Sequence, residues 1–283
     1  MIRIGPSGWT HPGLLSVWPQ GRSGGAPFDP LEFLGRYFGC VEVDATAHAV
    51  PRAEHVQRWQ ASLAEAERTR IVLRLPRSLT DLSRDPADRA AEAERTNTAL
   101  QSLVRRKKLG ALVAELAPGT IFGPAETRAL IELARAFPGA PLVLEADHGS
   151  WYERTALDTV GGAGWSLAHV EPADRWDAPP RDHRPTGPVG MLRLLAPGRA
   201  GPPVIGALAR RARLLEPRVD EVFVVAANGG RESSAPELRL AAALEIKFVL
   251  RGQSPVPAWP EIVQACPHLA PVVVLPSGPD PIP

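Results

Sequence analysis

The chain has 283 residues, of which 44% are apolar and 22% charged, so it can bury a substantial core and is neither disordered nor fibrous. With 32 basic and 31 acidic side chains its formal net charge is +1, which excludes a broad basic field for gathering nucleic acid or an anionic membrane. No run approaches the roughly 20 apolar residues that span a bilayer, no secretory signal core is present, and the two cysteines lack metal-ligand spacing. We therefore expect a cytoplasmic protein without structural zinc.

Short apolar runs typical of buried strands alternate with longer stretches of helical periodicity. In chain order, strands are predicted at residues 2–5, 40–45, 71–76, 111–116, 142–146, 165–170, 190–195 and 221–227. Helices are predicted at residues 52–69, 87–106, 124–138, 205–215 and 235–250. Pro124 suits a first helical turn, and the sequence FPGAP at 137–141 indicates a helix end before the next strand.

This rhythm predicts one α/β domain with a parallel sheet, because parallel neighbours need long crossover connections. Eight strand and helix units favour a closed (β/α)8 TIM-barrel-like fold. An open doubly wound sheet is the alternative, but no GxGxxG follows the first strand. The Pro-, Asp- and Arg-rich segment 171–188 interrupts the rhythm. We expect the barrel domain to span 1–252 and a proline-rich C-terminal extension to span 253–283.

Polar residues stand at the ends of the predicted strands, where the ligand site of such a barrel lies. They are Glu42, Asp44, Arg74, Glu115, Glu145, Arg193 and, directly after the last strand, Asn228. One interpretation is a pocket for a small polar or anionic molecule, in which Arg74 and Arg193 hold a carboxylate or phosphate by forked hydrogen bonds. The other is a structural network, in which the two arginines neutralise the carboxylates.

The stretch LVLEADHGSWYE at 142–153 supplies the candidates for acid/base chemistry. Histidine is a common acid/base residue, and His148 would act with Glu145, while Asp147 and Glu115 complete the predicted catalytic set. Alternatively, His148 caps the loop and Trp151 packs it down. Two further alternatives concern ligand contacts: Trp9 and Trp151 either stack on a planar ligand or fill the rim of the barrel. Ser7 is expected to bind through a hydrogen bond rather than act as a nucleophile, since its flanking residues do not form a nucleophile elbow.

No cofactor is predicted. Carboxylates and His148 could bind a divalent metal, but no HExxH-type motif is present and the arginines would compete for the carboxylates. The sequence carries no RNA-binding signature and no interleaved basic and aromatic residues, so the predicted partner is a small molecule rather than nucleic acid or membrane. A protein partner at the C-terminal extension is a further hypothesis.

Taken in order, these pieces resemble the YecE-like proteins, a family catalogued as domain of unknown function 72, whose members are similar to TIM barrels. The resemblance runs from residue 2 to about residue 250. Its strongest parts are SGW at 7–9, and Glu145, His148, Ser150 and Trp151 in LEADHGSW. Weaker parts are VEVDATAHAVP at 41–51, LRLPRSLTD at 73–81, LVAELAPG at 112–119, MLRLLAPG at 191–198 and VVAANGG at 224–230. The resemblance implies the fold and a frame of site residues, but no reaction.

Several positions depart from the family pattern. Asp147 stands where the family has arginine, Arg74 where it has lysine, Leu195 where a histidine is expected, and Ala226 where an aromatic residue is expected. These changes remove two proton-transfer candidates and one anion clamp. Two hypotheses remain: an enzyme of acid/base or hydrolytic type acting on a small polar or anionic substrate, or a non-catalytic barrel that binds a metabolite or a protein partner.

Overall fold

Strands and helices alternate along the chain in the structure, a computed structural model that describes residues 1–10, 14, 22–23, 26–81, 83–171, 184–195, 202–227 and 237–252. The strands are β1 (Ile2–Pro6), β2 (Arg22–Ser23), β3 (Ala26–Pro27), β4 (Cys40–Val43), β5 (Arg70–Arg74), β6 (Leu109–Glu115), β7 (Leu142–Glu145), β8 (Trp165–Leu167), β9 (His169–Glu171), β10 (Val189–Leu195) and β11 (Glu221–Ala227). The helices are α1 (Pro30–Tyr37), α2 (Ala53–Ser62), α3 (Arg77–Thr80), α4 (Pro86–Arg105), α5 (Pro124–Ala136), α6 (Arg154–Gly162), α7 (Pro202–Leu215) and α8 (Glu237–Arg251). The predicted extension 253–283 and Asn228 lie outside the described residues.

All eight predicted strands and all five predicted helices are confirmed, although several bounds differ and the short elements β2, β3 and α3 were not predicted. The strand predicted at 165–170 is divided at Ala168 into β8 and β9. Helix α2 ends at Ser62 instead of continuing to 69. Helices α1 and α6 were not predicted, because they have only 8 and 9 residues and each includes glycine, which weakens the helical pattern. No helix in the described ranges is both long and apolar enough to cross a bilayer.

The main strands form two parallel sheets, one in the order β4-β5-β6-β7-β8 and the other in the order β1-β11-β10-β9. The sheets meet at two places. Ser7, just beyond β1, forms a parallel bridge with Glu42 of β4. On the other side, the segment 165–171 pairs first with β7 and then with β10. The chain therefore has an α/β fold built on parallel strands, as the alternation predicts.

Alternate strand residues pack into two different layers, because successive side chains point to opposite faces of a strand. One layer faces the helices and includes Leu73, Leu112 and Leu144 together with helical residues such as Leu103. The other layer, which we call the strand layer, comes from the strands and Ala168 alone. It consists of Cys40, Val72, Ala111, Val113, Val143, Ala168, Val189, Met191, Phe223, Val225 and Ala227. The strand layer is thus a separate apolar core on the face away from the helices.

Gly5 allows β1 to approach β4 at the place where the two sheets meet. A β-carbon at Gly5 would lie 1.7 Å from the carbonyl oxygen of Cys40. That oxygen belongs to backbone, which a rotamer change cannot move. The glycine of the opening motif is therefore required by close backbone packing.

We expect Gly5→Ala to lower the free energy of unfolding by about 3 kcal/mol or more, because the added methyl overpacks two paired strands. Urea unfolding of the full chain measures the change. Gly162→Ala is the matched control, since a β-carbon there meets nothing within 4 Å at the end of α6. Equal stability of the two variants would contradict the close contact.

Candidate functional site

Charged residues continue the strand layer towards the carboxyl ends of five strands. They are Glu42 on β4, Arg74 on β5, Glu115 on β6, Glu145 on β7 and Arg193 on β10, and we call them the strand-end cluster. Each lies two positions after a residue of the strand layer, so it points to the same face. The fold therefore brings the predicted positions together at one end of the strands, next to the apolar strand layer.

Glu42 and Arg193 form the buried centre of the cluster, with 0% and 1% of their side chains exposed. Arg193 donates from Nη1 to Oε2 of Glu42, and from Nη2 to Oε1 at 3.0 Å, so the pair is bidentate. Ser7 Oγ donates to Glu42 Oε1 at 2.6 Å. Burial alone would raise the pKa of Glu42, but the charges of Arg193 and Arg74 and the two donors outweigh it and hold that pKa below its usual range. Glu42 is therefore ionised at neutral pH.

Arg193 also forms an ion pair with Glu145, whose Oε2 lies 2.9 Å from Nε of the guanidinium. Burial on its own would lower the pKa of Arg193, but Glu145 and Glu42 together raise it above its usual value. One cation thus holds carboxylates from two other strands, β4 and β7. The Glu145 side chain remains 12% exposed, so it is nearer to solvent than that of Glu42.

A second ion pair lies beside the first. Glu115 is the register neighbour of Glu145 on the adjacent strand. Its Oε2 accepts a hydrogen bond from Nη2 of Arg74 and lies 3.5 Å from Nη2 of Arg77. Burial, and then the charge of Arg193, lower the pKa of Arg74. Glu115 is 31% exposed and Arg77 54%, so this pair forms the accessible side of the cluster.

Asp44 lies apart from the strand-end cluster and is held by a residue that the sequence did not single out. Arg239 of α8 donates from Nη1 to the carbonyl oxygen of Ser7 at 2.6 Å and lies 3.3 Å from Asp44 Oδ2. Burial lowers the pKa of Arg239, against the charge of Asp44. The available signal was an arginine within the apolar helix sequence ELRLAAALEIKFVL.

The opening motif requires glycine at position 8 for two reasons. The φ of Gly8 is +71°, and a β-carbon there would lie 2.5 Å from Asp44 Oδ2.

The loop after β7 is tied to the loop after β6. Asp147 Oδ1 accepts from the backbone N–H of Gly119 at 2.9 Å. His148 Nδ1 accepts from the backbone N–H of Ser150 at 3.2 Å and lies 2.8 Å from its hydroxyl, so the ring caps the short 3-10 helix at Gly149–Tyr152. No hydrogen bond or ion pair joins His148 to Glu145, both of which the structure describes. This geometry matches the capping alternative for His148.

The two tryptophans of the predicted set are mainly packed. Trp151 is fully buried, donates from Nε1 to the carbonyl oxygen of Thr120 at 2.8 Å and meets Phe122 edge to face at 5.2 Å. Trp9 is 9% exposed and meets Trp59 edge to face. Trp151 therefore holds the loop after β7 against the loop after β6, whereas Trp9 packs beneath the partly exposed ring of Trp59.

The carboxylates of the site face arginines rather than one another. Among the described residues, no three His, Cys, Asp or Glu side chains are grouped so that they could hold a metal ion. The absence of a cofactor stays a prediction. At the positions that depart from the family pattern, Leu195 is partly exposed at the end of β10 and Ala226 is buried in the helix-facing layer.

Comparison with known proteins identifies the family. The model of a family described as "Protein of unknown function DUF72" matches residues 3–261. The chain belongs to this family. A DUF72 protein from Enterococcus faecalis V583 is similar in structure, with a TM-score of 0.73 and 17% identity, over 89% of this chain and 96% of that one. A DUF72 protein from Thermotoga maritima MSB8 gives a TM-score of 0.70 and 18% identity, over 89% and 99%. No curated protein matches. The predicted resemblance is confirmed, and the DUF72 structures support the fold alone.

We expect Arg193→Met to lower the free energy of unfolding by about 3 to 5 kcal/mol, because it leaves Glu42 buried without its cation. Adding Glu42→Gln should recover part of the loss. Arg184→Met is the matched control: Arg184 pairs with Asp158, but both are more than half exposed, so stability should not change measurably. Urea unfolding measures all four proteins. A loss no larger than that of the control would show that the buried pair does not form.

Stability should also depend on pH through Glu42. Its pKa in the folded chain lies below the ordinary 4.5, so its ionised form stabilises the fold above that pH. The contribution is lost as the pH falls from 4.5 through the folded pKa. The difference in unfolding free energy between wild type and Glu42→Gln should be constant above about pH 6 and shrink on acidification. A difference that stays constant down to about pH 3 would contradict this assignment.

Proposed function

We propose that the chain is a closed (β/α)8 barrel that uses the carboxyl ends of its strands for acid/base chemistry on a small polar or anionic molecule. Two observations support closure. The Ser7–Glu42 bridge joins the sheets on one side, and the segment 165–171 pairs with both β7 and β10 on the other. The strand layer would then be the packed interior of the barrel, with the strand-end cluster as its upper layer.

The observation that carries the catalytic proposal is the arrangement of Glu115 and Glu145. They are register neighbours on β6 and β7, each is held by a different arginine, and both reach solvent. Two carboxylates in different environments can take different protonation roles, one as acid and one as base. Glu42 is enclosed and ionised, so its role is to fix Arg193 and, through it, Glu145.

The anionic part of the substrate would bind on the β5 side. Arg77 is 54% exposed and contacts Glu115 only at 3.5 Å, so it keeps donors for a ligand. Its planar fork suits a carboxylate or a phosphate. Arg74, which is 16% exposed, would support the same anion from below. Arg193 is surrounded by carboxylates and is not part of this contact.

A non-catalytic barrel is the second candidate, and two contacts in the loop after β7 favour it. His148, the predicted partner of Glu145, uses Nδ1 to cap its own loop. Asp147 is likewise engaged by the backbone of Gly119. In this case the same arginines would bind an anionic metabolite without turning it over.

The test begins with a thermal-shift screen of small phosphorylated and carboxylated compounds on the full chain, followed by product detection by NMR for each compound that binds. We expect Glu145→Gln to lower kcat at least about 100-fold while Kd changes little, because proton transfer is lost and the anion contacts remain. Glu132→Gln, at a half-exposed carboxylate on α5, is the control and should change neither value. Binding without product for every compound, with Glu145→Gln affecting Kd alone, would favour the non-catalytic barrel.

A further inference from the structure

A cleft of about 1080 Å³ lies at the amino ends of β1, β4 and β5, at the opposite end of the strands from the strand-end cluster. The helices α1, α7 and α8 and the segment 64–69 before β5 line it. Sites for small molecules in proteins span roughly 300 to 1,000 Å³. The cleft is therefore large enough for a small ligand.

The charges that line the cleft are only partly paired. Three cationic groups already have a carboxylate, namely Arg36 with Glu32, the amino terminus of Met1 with Glu216, and Arg3 with Glu221. Of the described residues that line the cleft, the other charged side chains are the cations Arg68, Arg213, Lys247 and Arg251 and the carboxylates Glu65 and Glu67. The two carboxylates lie beside Arg68 in the segment 64–69, whereas the wall formed by α7 and α8 is left with cations. The excess charge of the cleft is therefore positive and lies on that wall.

The three cations of this wall, Arg213, Lys247 and Arg251, are held by neutral groups or by none. Nη2 of Arg213 donates to the carbonyl oxygen of Leu250, and Nζ of Lys247 donates to the carbonyl oxygen of Tyr37. A carbonyl oxygen accepts a hydrogen bond without cancelling the charge of the donor. Within the part of the chain that the structure describes, no ion pair joins any of the three to a carboxylate. Their positive charge is therefore still available to a ligand.

Two of these cations also repel each other. Lys247 and Arg251 are four residues apart on α8 and so share one face of the helix. Burial, and then the charge of Arg251, lower the pKa of Lys247. Lys247 is partly exposed and Arg251 is exposed, so both can be reached from the cleft. An anion placed between them would replace this repulsion by two attractive contacts.

We propose that this cleft binds the phosphate group of a small ligand, with Lys247 and Arg251 of α8 and Arg213 of α7 donating to its oxygens. A phosphate group carries about two negative charges and three acceptor oxygens at neutral pH, so it can meet three cationic donors at once. A carboxylate has one charge and two oxygens and would leave part of the wall unneutralised. The site goes beyond the proposed function, because it lies at the other end of the strands and needs neither Glu115 nor Glu145.

Diphosphate and malonate test the proposal, because both are small anions with two acidic groups and they differ in phosphate against carboxylate. Calorimetric titration of the full chain at low salt should give a Kd for diphosphate at least about tenfold lower than that for malonate. Arg251→Met should weaken diphosphate binding about fivefold, because a charge-assisted hydrogen bond is lost. The variant keeps the fold, since Arg251 is exposed and methionine is as good a helix former as arginine.

Arg135→Met is the matched control for Arg251→Met. Arg135 is also an exposed arginine in the last turn of a helix, α5, but it does not line the cleft. It should leave the Kd for diphosphate unchanged. Glu65→Gln tests the opposite direction: this exposed carboxylate lines the cleft, and its removal should tighten diphosphate binding about twofold at low salt.

The competing role for these cations is to neutralise the carbonyl end of α8. In that case Arg251→Met would lower the free energy of unfolding as Arg135→Met does, without any effect on diphosphate binding, and this result would overturn the proposal. Equal Kd values for diphosphate and malonate would overturn it as well. Arg77→Met removes the anion contact of the proposed function. Diphosphate binding that survives Arg77→Met and weakens in Arg251→Met supports the cleft whatever the fate of that function, whereas the reverse pattern refutes the cleft alone.

Discussion

Arg193 reaches two carboxylates on two other strands, Glu42 on β4 and Glu145 on β7. All three groups are taken largely out of water, and each would be strongly unfavourable there without the others. The carboxylate–guanidinium geometry is directional, so the strands must end at heights that let the forked hydrogen bonds form. This constraint fixes the two parallel sheets relative to one another, because β10 belongs to one sheet and β4 and β7 to the other. The apolar strand layer alone would not distinguish registers that differ by two residues, since one aliphatic contact resembles another.

The buried Glu42 explains several residues of the opening motif of the chain. Glu42 receives the side chain of Ser7 on its carboxylate, and its backbone oxygen accepts from the N–H of Gly8. Gly5 permits the close approach of β1 to β4, and Gly8 supplies the left-handed φ and the space for the carboxylate of Asp44. The chain then leaves with Trp9 beside α2. Gly5, Ser7 and Gly8 thus each have a packing reason, and Trp9 packs edge to face against Trp59 of α2.

Much of this could be predicted from the sequence, and the limits have physical causes. Period-two alternation placed Glu42, Arg74, Glu115, Glu145 and Arg193 on one face, since it depends only on strand geometry. Their pairing could not be predicted, because either arginine could have faced any of the carboxylates. Arg239 was missed because an arginine in an apolar helix gives no indication of which strand end it reaches. The cap at His148 is local, yet it depends on the backbone direction at Ser150, which the residue types do not specify.

Asp147 shows how the charge reversal within LVLEADHGSWYE alters the site. The family pattern leads one to expect an arginine here, which has only donors, whereas Asp147 accepts a hydrogen bond from the backbone N–H of Gly119. An arginine could not make that contact, so this hydrogen bond between the loops after β6 and β7 depends on the acidic residue, whereas the one from Trp151 to Thr120 does not. The same change removes a positive charge from the β7 side. Beside β7, Glu145 contacts Arg193, which also pairs with Glu42. Beyond the end of β5, Arg77 is half exposed and its contact with Glu115 is 3.5 Å long. The balance of charge therefore favours the side of β5, rather than that of β7, for the proposed anion contact.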